Sequence, residues 1–267
     1  MIKLFRKIRQ DLLVKKQLNK YFIYAFGEVF LVMIGILLAL YISNWNSNNK
    51  DDKKEEWYLI NIIEDIEYQK VYLKFMIEHY NESIDIEKSI IKEYYQKNGF
   101  SKIDSLDAKL NYLMLSYRFP NTNNTYQELV SSGQLSLIKD KFLSIDIINY
   151  YLSCENNYND LKKDLESIFH KEVYPVFNAH SQVIIETDSL STNENFLFQK
   201  DKQLSIYIKE KLEKPESKLQ LINALKIKFQ LQQNYLELVK MTLKDSDSLI
   251  SKIDKYLGLT PDMVNTY

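Results

Sequence analysis

Three histidines, one cysteine and five glycines bound the chemistry open to this chain of 267 residues. His79, His170 and His180 fall in neither the His-Glu-x-x-His nor the Glu-x-x-His spacing, so zincin and di-iron helical sites lack their ligands. Glu166 and His170 stand four apart, which on a helix makes an ion pair; two ligands are too few for a metal. Cys154, followed by Glu155, Asn156 and Asn157, reads as a small inert side chain, since a nucleophile would need a base such as His170 brought beside it. Glycine occurs only at 27, 35, 99, 133 and 258, so a dinucleotide fingerprint, a Walker loop and a nucleophile elbow are all excluded. The expectation is a protein that is not an enzyme, with no cofactor and no metal.

One further acid, Glu28, is unusual for its surroundings. From Tyr21 to Ile42 it is the only charged residue, and Val29 to Ile42 has none. About 20 apolar residues suffice for a helix to cross roughly 30 Å of hydrocarbon. A cleaved signal peptide has an apolar core of about 7 to 15 residues and a small-x-small exit, whereas this run leaves into Ser43-Asn44-Trp45-Asn46. Tyr21, Phe22 and Tyr24 at one end and Tyr41 and Trp45 at the other suit the headgroup layer. Glu28 lies near the end facing Lys20, where it can reach the interface, pair with Lys20 or meet a neighbouring subunit; the alternative is a partner or proton contact within the membrane. Gly35, Ala39 and Ser43 recur every fourth residue and Gly27 extends the stripe, the pattern that lets two spanning helices approach closely.

Residues 1–20 carry seven cations against Asp11, a net +6, and the positive-inside rule puts them in the cytoplasm. The whole chain is −1, so the remainder sums to −7, without the basic footprint of a nucleic-acid binder. Ile2, Phe5, Ile8 and Leu12 share helical spacing, with Lys3, Arg6, Lys7 and Arg9 mostly on other faces. That is either a helix lying on the anionic inner leaflet or a topology signal alone. The division expected is therefore 1–20 cytoplasmic, 21–45 membrane-spanning and 46–267 periplasmic.

Residues 4–46 resemble the opening of a family of single-pass inner-membrane proteins from one Gram-negative lineage, known only as a domain of unknown function. Its pattern is FRKIR, a basic spacer, KYxxYAxGE, then LVxIGILIALxINNWN. Phe5 to Arg9, Lys20, Tyr21, Tyr24, Ala25, Gly27, Glu28 and Asn44 to Asn46 match; Phe26, Leu38 and Ser43 depart mildly. Thr125 to Tyr151 is similar to the family's second recurrent block. The resemblance implies an inner-membrane location and an exported helical domain, and no activity.

The part from 46 onward reads as one all-α domain, an antiparallel helical bundle without disulfides. In alternate steps of four and three, Leu59, Ile63, Ile66, Lys70, Leu73, Ile77, Tyr80, Ile84, Glu87, Ile91 and Tyr94 form one heptad seam. Ile222, Leu225, Phe229, Gln232, Leu236, Val239, Leu243, Ser246, Ile250, Ile253 and Leu257 form another. Such seams pack on each other within the chain or, as a coiled coil, on another chain. Shorter helices are expected at about 103–117, 126–132, 135–171 and 200–213, with Thr125 and Glu128 as a capping box, Gly133 ending that turn and Pro215 opening the last helix. Residues 173–195 break the pattern; the loop is either a functional surface or a spacer. The function expected is an envelope protein that associates with itself or with another membrane protein, besides the lipid bilayer. The alternative is a ligand-sensing module acting through a membrane partner.

Overall fold

The computed structural model describes residues 18–183 and 199–259. Every regular element among them is helical: α1 (Leu18–Lys97), α2 (Leu106–Leu113), α3 (Asn124–Ser131), a 3-10 turn (Leu135–Leu137), α4 (Lys141–Asp164), a π-helical segment (Leu165–Val173), α5 (Tyr174–Ala179), α6 (Lys202–Glu213) and α7 (Pro215–Leu257). Two compact units divide the chain, Met1–Trp57 and Tyr58–Tyr267. In the first, the described residues are helical, and the apolar stretch has a mean hydropathy of 2.4 with none of it buried. Phe26, Val29, Leu31, Leu37 and Ile42 are all more than half exposed. This helix is long and apolar enough to cross a membrane.

In the second unit the apolar steps of both seams are buried or half-buried, joined in the core by off-step residues such as Ile62, Met76 and Leu249. Leu59, Ile66 and Leu73 of α1 and Val239 and Ile253 of α7 are fully buried, each such side chain contributing about 1.5–3 kcal/mol. The core has two clusters. One joins α1 from Tyr58 to Ile84 with Ile147, Tyr150 and Leu161 of α4 and with α7 from Tyr235 to Ile253. The other joins Ile90 of α1 and Phe100 with Phe169, Val173 and Phe177, and with Leu221 and Leu225 of α7.

The expected single helix over 135–171 is three elements, because Ile138 is extended and Asp140 caps a new start by accepting from the Phe142 and Leu143 amides. It then passes into a π segment. Leu161, Leu165, Phe169, Val173 and Phe177 recur every four residues, a spacing that drifts around a 3.6-residue helix. Wider i→i+5 turns hold the row on the core side. The helix also runs on past Val173 to Ala179, so the break expected there begins later.

The region expected to carry a capping box is built differently. The helix starts two residues earlier, with Asn123 as N-cap and no side-chain cap bond. Glu128 instead accepts from the Tyr58 hydroxyl at 3.2 Å, and the Thr125 amide donates to Asp65 of α1 at 2.9 Å. The cap is thus supplied across the fold by a residue 60 positions away. Gly133 does end the turn in the left-handed conformation (φ 68°), and Pro215 and Gly258 (φ 70°) bound α7 as expected. Residues 184–195 of the expected loop lie outside the described residues.

Candidate functional site

Between the two clusters, α1 and α7 face each other with polar side chains. Glu87 is fully buried and Lys228 and Gln232 are 5% and 3% exposed. Glu87 and Gln232 are each one of the two polar steps in their seams, and both fall in this layer. With its carboxamide oriented to satisfy both neighbours, Gln232 donates to Glu87 at 2.6 and 3.2 Å and accepts from the Lys228 ammonium at 3.3 Å. It bridges two charges that make no direct ion pair. The Lys228 ammonium lies 4.4 Å from the centroid of the Phe169 ring, which the π segment presents.

Burial pushes the Glu87 carboxyl up and the Lys228 ammonium down, and each charge opposes the other's shift. Nearby, His79 of α1 is 6% exposed. The Tyr112 hydroxyl donates to Glu82 at 2.6 Å, so its oxygen accepts from His79 Nδ1 at 3.1 Å, leaving Nε2 to accept from Ser83 at 3.4 Å. Burial, and then the Lys228 charge, hold the imidazole down to about 4, so it is neutral. A cavity of about 20 Å³ adjoins the layer, lined among others by Tyr80, Ser116, Tyr117, Phe169, Lys228 and Gln232. That is room for one water-sized occupant.

A second polar network lies within the first cluster. Tyr150 donates to Gln69 at 2.7 Å and shares a hydrogen bond with Ser246 at 2.9 Å, and Gln69 reaches Pro120 O at 2.7 Å. Cys154 belongs to it, 3.7 Å from Gln69, and burial pushes its thiol up to about 11, so it stays protonated and unreactive. Lys70, the remaining polar step of the first seam, ties α1 to α7 through Asp247 at 2.8 Å while also pairing with Glu67.

The residues singled out from sequence are scattered. Gly27, Gly35, Ala39 and Ser43 are exposed on the apolar helix, and space around the two glycines is open. Glu28 on the same helix is partly exposed. Lys3, Arg6, Lys7 and Arg9 lie outside the described residues. His170 does not pair with Glu166; it packs edge-on to Tyr174 at 6.3 Å. His180 is buried, its Nδ1 donating to Val176 O at 2.7 Å while Nε2 has no protein partner. No group of metal-ligating side chains occurs among the described residues. A cleft of about 340 Å³ lies at the surface between the 100–107 turn and α6 and is lined by Lys102, Lys200 and Lys209 as well as Asp104 and Asp107.

Sequence reading missed Lys228, which sits off the seam steps, and the histidine network. The polar steps Glu87 and Gln232 were the available signal for both. No curated protein and no solved structure matches the chain. A family model described as a family of unknown function matches residues 28–176, from Glu28 of the apolar helix through the whole second block to the helix after the π segment. Spanning more than half of the sequence, that match makes the chain a member of the DUF6090 family.

Proposed function

We propose that this protein is a non-enzymatic, membrane-anchored assembly module of a bacterial envelope. In this reading residues 21–45 cross the inner membrane once, the basic residues 1–20 stay in the cytoplasm, and the rest forms a helical bundle in the periplasm. The observation that carries it is the apolar stretch from Phe22 to Trp45, which lies exposed among the described residues. In water such a face would be an aggregation site; in lipid it is an ordinary spanning helix. Orientation rests on the net +6 of residues 1–20. An antiparallel arrangement of α1 and α7 is supported by their shared clusters, which take early α1 with late α7 and late α1 with early α7.

The exposed stripe of Gly27, Gly35, Ala39 and Ser43 suits self-association or contact with another membrane protein. A ligand-sensing module working through a membrane partner is the second reading, favoured by the charged layer, since small helix shifts can carry a signal inward. Alkaline carbonate extraction, protease added to spheroplasts and cross-linking in intact cells test the set. The reading expects a carbonate-resistant chain, cleaved outside, with a cross-linked partner that copurifies without added ligand. Release by carbonate refutes the anchor, and proximity that needs a ligand turns assembly into sensing.

A further inference from the structure

We propose that the cavity beside Lys228 is a binding site for one small monovalent inorganic anion of halide size. Lys228 is 5% exposed and enters no ion pair among the described residues, and its contacts are one amide oxygen at 3.3 Å and the Phe169 ring. An ammonium has three donors. Two are therefore left on a buried cation that lines a space of about 20 Å³, large enough for a single water-sized particle. Glu87 balances the charge only through the Gln232 amide, and the field of Lys228 still reaches His79, where it disfavours protonation. The other lining residues are aromatic, hydroxyl-bearing or apolar; none is acidic. Two acids on neighbouring elements accept tyrosine hydrogen bonds, Glu82 from Tyr112 and Asp164 from Tyr235. The site therefore presents a desolvated cation, an adjoining hole and no competing carboxylate in the wall. Those are the conditions for a halide, and the volume rejects organic anions.

The test uses the full-length chain in detergent micelles, titrated with sodium chloride against sodium gluconate at constant ionic strength. The 35Cl NMR line width and the thermal unfolding midpoint are read together. Chloride should broaden the 35Cl line and raise the midpoint, while gluconate does neither. Lys228→Met should abolish both effects. Ser116→Phe, which fills the hole from its exposed side and keeps the buried charge, should abolish them without loss of helix. Lys102→Met in the surface cleft should leave them intact. Broadening that survives in both the Lys228→Met and Ser116→Phe proteins, equal stabilisation by gluconate, or no broadening above that of micelles alone overturns the proposal.

Discussion

Lys228 of α7 and Phe169 of the π segment meet as cation and ring face, 4.4 Å from nitrogen to centroid. The π segment keeps Phe169 in line with Leu165 and Val173 and so brings an aromatic face against the buried ammonium. A desolvated charge costs several kcal/mol unless polarisable or hydrogen-bonding groups replace the water, and here a ring and one amide do so.

Removing one member of the layer strands the other. Lys228→Met leaves Glu87 buried without its counter-charge, and the expected loss is about 3–5 kcal/mol of unfolding free energy. The double variant Lys228→Met, Glu87→Met removes both penalties and should equal or exceed the parent. Urea unfolding of the full-length chain followed by circular dichroism measures both. A double variant as unstable as the single one would mean that the charges are not coupled.

His79 predicts a response to acid. Its imidazole titrates at about 4 in the folded chain against 6.5 ordinarily, so the unfolded chain takes up the proton first. Stability from this residue is complete above about pH 6.5 and declines as pH falls towards 4, by at most about 3 kcal/mol. Glu87 works in the opposite sense, its raised carboxyl binding a proton more readily when folded. The difference between the parent and His79→Asn therefore carries the test: their unfolding free energies should converge between pH 7 and pH 4. A constant offset would show that His79 does not titrate on unfolding.

Much of the helical architecture was legible because apolar periodicity responds to burial, and burial decided both long helices. Leu59 to Tyr94 and Ile222 to Leu257 turn the expected seam steps inward. What could not be read is what depends on distant partners. Asp65 caps α3 from another helix, which no local motif encodes, and Thr125 and Glu128 have the right spacing for a box they do not form. The π segment was readable in principle, since five apolar residues at strict intervals of four do not fit a 3.6 period. Of the charged layer, Glu87 and Gln232 were visible as interruptions, but Lys228 resembles any surface lysine until α1 and α7 are set together.

If residues 21–45 cross a membrane, the small-residue stripe makes a prediction that does not depend on the folded domain. Gly35→Ile and Ala39→Ile add bulk where the surroundings are open, so the monomer should insert and fold unchanged. If helices meet along this stripe, cross-linking in membranes should fall severalfold. Leu37→Phe, on the far side of the helix, should leave it unaltered. Equal cross-linking in all three proteins would remove the stripe from the interface.

The cross-fold cap gives a sharper contrast between neighbours. Asp65→Ala leaves the Thr125 amide without its acceptor and removes a charge-assisted bond, at an expected cost of about 1–2 kcal/mol. Asp65→Asn keeps an acceptor oxygen and should recover roughly half of that. Thr125→Val changes a side chain that makes no cap bond, so it should cost under about 0.5 kcal/mol, whereas a true capping box would lose as much as Asp65→Ala does. Urea midpoints for the three variants separate the two arrangements, because only a local box makes the threonine matter more than the aspartate 60 residues earlier.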